Sequence, residues 1–406
     1  MNTFEIENGM LKAYHGDAES VVIPENVMFI NADVFQNHTE ILSVTIPHIV
    51  EYIGAYAFAG CTNLKTVRVS KPSHLHAAKN LEYALPKNKG KLTEQGLNFA
   101  LHNGYICSNA FANCTSLTFI DFPDRIHALE GGFLSDVVFK NCTSLTKFII
   151  PEHLTYLETS IFINCPNLNE IVVAENHPKF ISIDGLLYSK DRKTLLLCPP
   201  ARTEVIIPEG VETILGSPLD GGAFYGCSEL VSVTLPESLK TICPNAFGKC
   251  VKLKHLTLPE NIQEIERLAF HECSELKLQY RQYIVTSDFV SRGDEDLIAI
   301  MKDRKFTVSS AMTFKAQLLF EMYFSAPEKD VLKYIQENSE ELLKALIDNQ
   351  NTEVIRRILE SGQFITQQNI DVLIQHAIEQ KAYDIQVMLT DFKVQNFGFD
   401  MPDLKL

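Results

Sequence analysis

Apolar and small residues recur in one phrase along the first two thirds of the chain, often at a spacing of 23 residues. The phrase reads Ala-Phe-Ala-Gly-Cys-Thr-Asn-Leu at residues 57–64. Its phenylalanine recurs at Phe35, Phe58, Phe111, Phe139, Phe162, Phe224, Phe247 and Phe270. Such a period is typical of stacked supersecondary units that are each too small to bury an apolar face alone. The repeated residues are packing residues, so the pattern predicts a solenoid and favours a binding protein over an enzyme.

A short strand-like segment ends each unit, and its outward residues form a row. In the unit 46–69, Val67 and Val69 are apolar and Arg68 between them points outward, which is the alternation of a half-buried strand. A proline such as Pro47 then turns the chain. The outward positions are Thr45, Arg68, Asp121, Ile149, Val172, Thr234 and Thr257. Because repeat proteins commonly bind along such a surface, we predict a protein-binding row with Ile149 and Val172 as its apolar centre.

Seven of the ten cysteines occupy one position of the repeat, three residues after the phenylalanine. They are Cys61, Cys114, Cys142, Cys165, Cys227, Cys250 and Cys273. A position filled once per unit predicts a buried row of small side chains, since free cysteine is among the most buried residue types. Disulfides and a metal site stay open as alternatives, and the lack of C-x-x-C spacing disfavours the metal.

The repeated phrases resemble those of the BspA-type leucine-rich repeats of bacterial and protist proteins. The resemblance rests on Ile-Pro-Glu-Asn-Val at residues 23–27, on residues 110–117 and on residues 246–250, and it covers about residues 3–280. It implies a curved right-handed solenoid of the α/β repeat class that is mostly β. It also implies a protein that works by binding, often to proteins and sometimes at the cell surface, and it does not imply a catalytic site.

Two segments that flank or interrupt the repeats are predicted to form hairpins. Residues 4–14 and 180–191 each place an Asn-Gly or Asp-Gly turn signal between two apolar strands. The first hairpin would cover the open end of the stack, because the terminal units of a repeat array need a cap. We therefore assign residues 1–284 to one solenoid domain with an N-terminal cap.

An insertion lengthens one unit at about residues 70–103. Its basic character contrasts with the acidic chain, and its candidate contact residues are His74, His76, Lys87, Lys89 and Lys91. Insertions on one face of a repeat array often carry function, so one interpretation is a partner-contact loop. The alternatives are a tolerated surface excursion and, with less support, a metal site at residues 74–76.

After Tyr280 the apolar residues change to helical spacing, which predicts a helical domain over residues 285–406. The segments 352–359 and 382–389 resemble each other, and paired short helices at this period look like divergent ankyrin-type repeats. The Thr-Pro-Leu-His signature of ankyrin repeats is absent from the sequence. The helices are interpreted either as a cap on the last coil or as a second protein-binding module.

Composition restricts the partners and the compartment. The net charge of −15 disfavours nucleic acid as a partner, because phosphate binding requires concentrated Lys and Arg. No run approaches the roughly 20 apolar residues of a membrane-spanning helix, so we expect no membrane insertion. The first residues lack the features of a signal peptide, and we predict a cytoplasmic location, with the cell surface or secretion as the alternative.

Catalytic motifs are not found in the sequence. It has no Walker A loop, no H-E-x-x-H, no G-x-S-x-G and no G-x-G-x-x-G. We therefore expect no enzymatic activity and no cofactor. Two functions remain: a cytosolic protein-interaction scaffold that uses the strand row, the insertion and the helical tail, and an exported adhesin-like protein that binds host or matrix proteins. The partner and the oligomeric state are not predictable from the sequence.

Overall fold

The structure is a computed structural model that describes residues 3–71, 104–130, 137–158, 161–219, 221–286, 294–307 and 311–398. Its contacts divide the chain into two units. The solenoid unit comprises Met1–Lys254 and Asn261–Glu275, and the helical unit comprises His255–Glu260 and Leu276–Leu406. The predicted domain boundary at residues 284 and 285 stays a prediction.

The strands are short, as expected for a chain that turns several times in every repeat. In chain order they are β1 (Thr3–Glu7), β2 (Met10–His15), β3 (Ser20–Val22), β4 (Phe29–Ile30), β5 (Ser43–Ile46), β6 (Tyr52–Ile53), β7 (Thr66–Val69), β8 (Tyr105–Ile106), β9 (Phe119–Ile120), β10 (Ala128–Leu129), β11 (Lys147–Ile150), β12 (Tyr156–Leu157), β13 (Glu170–Val173), β14 (Phe180–Ile183), β15 (Leu186–Ser189), β16 (Thr194–Leu197), β17 (Glu204–Ile206), β18 (Thr213–Ile214), β19 (Gly216–Ser217), β20 (Gly221–Gly222), β21 (Ser232–Thr234), β22 (Thr241–Ile242), β23 (His255–Thr257), β24 (Glu264–Ile265), β25 (Lys277–Tyr280) and β26 (Tyr283–Thr286).

Two sets of parallel strands run along the solenoid unit. The first set pairs in the order β2, β4, β6, β8, β10, β12 and resumes as β16, β18, β22, β24. The second set, which contains the segments that precede the turn prolines, pairs as β3, β5, β7, β9, then as β11 and β13, and then as β17 and β21. This arrangement confirms the predicted leucine-rich repeat fold, in which each coil contributes one strand to each set.

The coils on either side of the insertion pair directly with each other. Tyr52 lies opposite Tyr105, and Val67 lies opposite Ile120. The long interval between Phe58 and Phe111 therefore lengthens one coil without interrupting the stack. The candidate contact residues of the insertion lie outside the described residues, which stop at residue 71 and resume at residue 104.

The repeated phenylalanines form two stacks in the core. The first contains the rings of Phe35, Phe58, Phe111, Phe139 and Phe162, and the second contains those of Phe224, Phe247 and Phe270. Neighbouring ring centroids lie 4.6 to 5.6 Å apart, and the rings are within 20° of parallel. The rings of consecutive coils thus fill the space between the two sets of strands and exclude water from it.

The repeated cysteines form the predicted buried row. Cys61 Sγ donates to the carbonyl oxygen of Phe35 in the preceding coil at 3.0 Å, and Cys250 Sγ donates in the same way to Phe224 at 3.2 Å. Burial raises the pKa of Cys61 to about 12, so the thiol keeps the proton that this hydrogen bond requires. The side chain therefore satisfies a buried carbonyl group as well as filling space.

The residue before each repeat cysteine, or before His38 in the first coil, has a left-handed backbone conformation. These residues are Asn37, Gly60, Asn113, Asn141, Asn164, Gly226, Lys249 and Glu272, with φ between 57° and 77°. Glycine and asparagine accept this conformation with the smallest steric cost. The left-handed backbone at this position therefore explains why Asn or Gly fills six of the eight positions. The backbone at the other two, Lys249 and Glu272, is strained.

Replacing Glu272 with asparagine should raise the free energy of unfolding by about 0.5–1 kcal/mol, because asparagine relieves the left-handed strain. The carboxylate of Glu272 lies 3.0 Å from Nε2 of His271, an exposed pair whose loss changes stability little. Urea denaturation of the two proteins measures the change. The control is Glu237→Asn, because Glu237 is exposed and has no positive φ. Equal stability of Glu272→Asn and the wild type would contradict the prediction.

The two predicted hairpins are present. β1 and β2 pair antiparallel around Asn8 and Gly9, whose φ values of 51° and 75° suit a tight two-residue turn. The ring of Tyr14 on β2 packs against that of Phe35, with ring centroids 5.1 Å apart and planes 41° apart. The hairpin therefore covers the end of the first aromatic stack. β14 and β15 pair antiparallel around Asp184 and Gly185 and lie between the two aromatic stacks in sequence.

The helical unit contains α1 (Asp294–Met301), α2 (Met312–Ser325), α3 (Lys329–Glu337), α4 (Ser339–Asp348), α5 (Thr352–Ser361), α6 (Ile370–Glu379) and α7 (Tyr383–Asn396) within the described residues. Helix α2 is central, since it is buried from Phe314 to Tyr323 and packs against α3, α4 and β26. Its Glu321 pairs with Arg357 of α5 at 2.8 Å. The ankyrin-like interpretation of these helices stays a prediction.

The predicted change to helical spacing directly after Tyr280 is wrong for the next residues. Tyr283–Thr286 forms β26, which pairs antiparallel with β25 through a turn at Arg281, whose φ is 52°. Tyr283 and Val285 are buried, whereas Ile284 between them is 41% exposed. This alternation is that of a strand, and the first described helix begins at Asp294.

Candidate functional site

The predicted binding residues lie on the second set of strands, at the position two residues before the turn proline or its equivalent. We call the outward side of β3, β5, β7, β9, β11, β13, β17 and β21 the strand face. Neighbouring strands bring Thr45 opposite Arg68 and Ile149 opposite Val172. The backbone N–H of Asp121 donates to the carbonyl oxygen of Val67 at 3.0 Å, which extends the row by one coil.

The predicted row is divided into separate stretches. Thr234 on β21 lies opposite Ile206 on β17. The hairpin β14–β15 separates these strands from Val172 in the sequence. Thr257 belongs to the helical unit, where it pairs with Gln279. The structure thus pairs Thr45 with Arg68 and Ile149 with Val172, and it pairs Thr234 with Ile206 and Thr257 with Gln279.

The hairpin turn at Asp184 and Gly185 lies at the break in the strand face. The N–H of Ile171 on β13 donates to the carbonyl oxygen of Gly185 at 2.9 Å, and Nη2 of Arg202 donates to that of Asp184 at 2.5 Å. A Cβ on Gly185 would lie 2.6 Å from the guanidinium of Arg202. The glycine therefore allows the turn to pack beside β13, where a further strand of the set would otherwise pair.

Aliphatic side chains give the strand face its chemical character. Ile149 is 43% exposed, and Val172 beside it is half-buried. Ile206 is 77% exposed and Val22 is 60% exposed. Singly exposed aliphatic residues are ordinary on protein surfaces, but here they occupy outward positions on strands, where β-branched side chains have few rotamers. Such side chains lose little conformational entropy when a partner covers them.

Charged side chains beside these aliphatic residues are already paired. Nζ of Lys147 lies 3.2 Å from a carboxylate oxygen of Glu170, next to Ile149 and Val172 on the same two strands. The guanidinium of Arg68 lies 5.3 Å from the ring centre of Phe119. Exposed pairs of this kind contribute little to stability, so a partner could reorganise them at small cost.

Val22 and Ile206 are candidate binding residues that the sequence analysis missed. Both stand two residues before a proline, Pro24 and Pro208, as Thr45 stands before Pro47. Val22 lies opposite Thr45 in the paired strands β3 and β5. Counting back two residues from every turn proline would have found both, because the proline marks the end of the strand more regularly than the strand residues do.

Other kinds of site receive no support from the described part of the chain. Within it, no three His, Cys, Asp or Glu side chains are grouped so that they could hold a metal ion. None of the helices in the same residues is long and apolar enough to cross a membrane. The insertion residues His74, His76, Lys87, Lys89 and Lys91 fall outside these residues.

Several solved structures resemble this chain. A leucine-rich cell surface protein from Faecalibacterium prausnitzii is 21% identical, with coverage of 68% of this chain and 86% of that protein and a TM-score of 0.33. The pneumococcal vaccine antigen PcpA is 21% identical, with coverage of 64% and 62% and a TM-score of 0.39. A leucine-rich repeat protein of T. pallidum is 19% identical, with coverage of 60% and 82% and a TM-score of 0.29.

A comparison with curated proteins finds no match. A family model described as the BspA type leucine rich repeat region matches residues 5–85, 86–185 and 200–286, with six copies of the repeat. These ranges span more than half of the sequence and agree with the two sets of strands and the aromatic stacks. The chain belongs to the BspA-type leucine-rich repeat family.

Proposed function

We propose that this chain is a non-enzymatic protein-interaction scaffold that binds a partner protein along the strand face. The observation that carries the proposal is the exposure of aliphatic side chains on outward strand positions, namely Val22, Ile149 and Ile206. The buried rows of phenylalanine and cysteine build the stack, so the outward positions are free to vary with the partner. Protein interfaces place such apolar side chains at the centre of a polar rim.

The pair Ile149 and Val172 is the proposed centre of this interface. The two residues lie directly opposite each other on β11 and β13, and the ion pair of Lys147 and Glu170 lies beside them. This arrangement has the apolar centre and charged edge of a small contact patch. The insertion residues and the helical unit are proposed as additional contact regions of the same scaffold.

Replacing Ile149 and Val172 together with lysine should strongly reduce capture of the partner from a native lysate. Two buried ammonium groups in the contact would each lack a partner, and we expect at least about a tenfold loss of affinity. The matched control is Val251→Lys, because Val251 is a 45% exposed aliphatic residue that directly follows the repeat residue Cys250 and does not lie on the strand face. Wild-type capture by the double variant would refute the proposed surface.

The proposed location is the cytosol, and the alternative is an exported adhesin-like protein on the cell surface that binds host or matrix proteins. In support of the cytosol, none of the ten cysteines, which all lie in the described residues, is joined in a disulfide, and eight of them are buried. Free thiols persist in reducing compartments. Fractionation of the native cell, with detection of the full chain in each fraction, distinguishes the scaffold from the adhesin.

A further inference from the structure

In each coil, the segment from two residues before the repeat phenylalanine to the repeat cysteine forms a corner, which we call the phenylalanine corner. A polar cavity of about 330 Å³ lies on this corner in the first coils of the solenoid unit. Its lining includes Asn37, Tyr56, Gly60, Asn113 and Asn141. The corner is separate from the strand face, because it lies between the first set of strands and the repeat cysteine. The volume is at the lower end of the range for small-molecule sites.

Carboxamide groups from successive coils form one wall of the cavity. Nδ2 of Asn141 donates to Oδ1 of Asn113 at 2.7 Å, which orients both amides. Each primary amide has two donor hydrogens and an oxygen that accepts two bonds, so this contact leaves further donors and acceptors on both groups.

Gly60 is the residue of the cavity lining against which the amide of Asn37 packs. It occupies the same left-handed corner position as Asn37 and Asn113, with φ of 75°. A Cβ at Gly60 would lie only 2.1 Å from Oδ1 of Asn37. The missing side chain therefore leaves room for the amide of Asn37 to lie against Gly60 in the cavity lining.

Tyr56 forms another wall and is held in an unfavourable conformation. Its φ is 57°, and the equivalent left-handed position of other coils holds the turn residues Asp33, Asn109 and Asn245 and, in one coil, Leu268. A bulky side chain in this region is strained. The Tyr56 side chain is 39% exposed, and its hydroxyl oxygen accepts a hydrogen bond from Nδ2 of the buried Asn109 at 3.1 Å. This contact fixes an aromatic ring at the cavity where a small turn residue would fold more easily.

We propose that this cavity binds a neutral saccharide, with a pyranose ring stacked on Tyr56 and its hydroxyl groups bonded to Asn113 and Asn141. A tyrosine ring offers an apolar surface to the C–H face of a sugar and a polar edge. A carboxamide presents a donor beside an acceptor, which matches a pair of neighbouring hydroxyl groups. Lys140 supplies one further polar group to the lining, whereas recognition of phosphate or carboxylate typically uses arginine forks or several cations.

The experiment uses the full chain and saturation-transfer NMR with millimolar glucose, galactose, mannose and N-acetylglucosamine, their β-linked tetrasaccharides, and sialyllactose as the acidic probe. The wild type should bind at least one neutral probe. Tyr56→Asn should bind it about tenfold more weakly while its melting temperature stays equal or rises, because asparagine fits the left-handed position. The loss of binding could not then be attributed to unfolding. Tyr56→Phe keeps the ring but loses the contact with Asn109, so it should bind the probe more tightly than Tyr56→Asn does.

The matched control is Leu268→Asn. Leu268 occupies the same position of the coil, with φ of 61°, in the part of the solenoid unit that contains the second aromatic stack, and it does not line the cavity. This variant should gain stability in the same way and bind the saccharide like the wild type. Three outcomes would overturn the proposal: no binding of any neutral probe by the wild type, full binding by Tyr56→Asn, or binding of sialyllactose alone.

Discussion

Replacing Phe58 with alanine is expected to lower the free energy of unfolding by about 3–5 kcal/mol. The ring of Phe58 is fully buried and lies between those of Phe35 and Phe111, with centroid separations of 4.8 and 5.1 Å. Its removal loses the transfer free energy of the ring and leaves a void that two rigid neighbours cannot fill. Urea denaturation followed by circular dichroism measures the loss.

The control for Phe58 is Phe119→Ala. Phe119 is half-buried on the strand face, and its ring contacts the guanidinium of Arg68 at 5.3 Å. Because most of its environment is solvent or a flexible side chain, we expect a loss of about 1 kcal/mol or less. Equal losses for the two variants would show that the aromatic stack does not form the core of the solenoid unit.

The Phe58→Ala variant should also show which coils of the solenoid unit are destabilised. Each coil of a repeat protein contacts only its neighbours, so destabilisation is expected to be strongest in the adjacent coils. Hydrogen exchange should therefore accelerate most for backbone amides near Phe35 and Phe111 and least for those near Phe247. A uniform acceleration along the chain would indicate that the solenoid unit unfolds as one cooperative body.

The repeat predicted the fold because its phenylalanine and cysteine residues are of types that are usually buried. The repeated phenylalanines, often 23 residues apart, stay buried together when successive coils lie in register, and that register also brings Cys61 to the carbonyl oxygen of Phe35. Asparagine or glycine before the cysteine indicates a left-handed corner. The hairpin around Asp184 and Gly185 was likewise predictable, because the turn type demands these residues.

Features that depend on contacts between distant residues could not be predicted from the sequence. The packing of the Asp184 turn beside β13 depends on Arg202 and Ile171, which no local pattern connects. The strand β26 lies in a segment whose apolar spacing also suits a helix, and pairing with β25 decides between the two. The cavity beside Tyr56 was missed because a repeat alignment shows an aromatic residue there but not its backbone conformation.

The two proposed sites share a physical origin in the repeat. Each coil must supply the phenylalanine, the cysteine and the small corner residues to stack, and these positions tolerate little change. Positions outside this set, such as Ile149 on the strand face, can vary without loss of the fold. An unusual residue at one of the corner positions is a stronger indication of a binding site. Tyr56 is such a residue, because it has an aromatic side chain where the left-handed backbone favours asparagine.

Replacing His177 with alanine is expected to destabilise the solenoid unit by about 3–5 kcal/mol at pH 8. The ring is fully buried and stacks on Phe180 with a centroid separation of 4.8 Å. Nδ1 accepts hydrogen bonds from the backbone N–H groups of Lys179 and Phe180 at 3.1 and 2.9 Å. Nε2 lies 2.9 Å from the carbonyl oxygen of Leu154, so the neutral tautomer with its proton on Nε2 satisfies all three backbone groups.

The pH dependence distinguishes this network from simple packing. Burial lowers the pKa of His177 below its usual value near 6.5. A second proton on the ring would also break the hydrogen bonds that Nδ1 accepts. The unfolded chain therefore binds more protons than the folded chain as the pH falls below about 6.5, and the stabilisation by His177 declines there. It is fully present above that pH.

The sharpest comparison is between the wild type and His177→Asn. The Oδ1 atom of asparagine can replace Nδ1 as the acceptor, but the bond to Leu154 is lost, so we expect a smaller loss than with alanine, on the order of 1–2 kcal/mol at pH 8. Urea denaturation at pH 8 and at pH 5.5 measures the difference in unfolding free energy between the two proteins. That difference should shrink at pH 5.5, because only the wild type carries the buried ring that resists protonation. A difference that is equal at both pH values would contradict a lowered pKa and would leave His177 as a packing residue only.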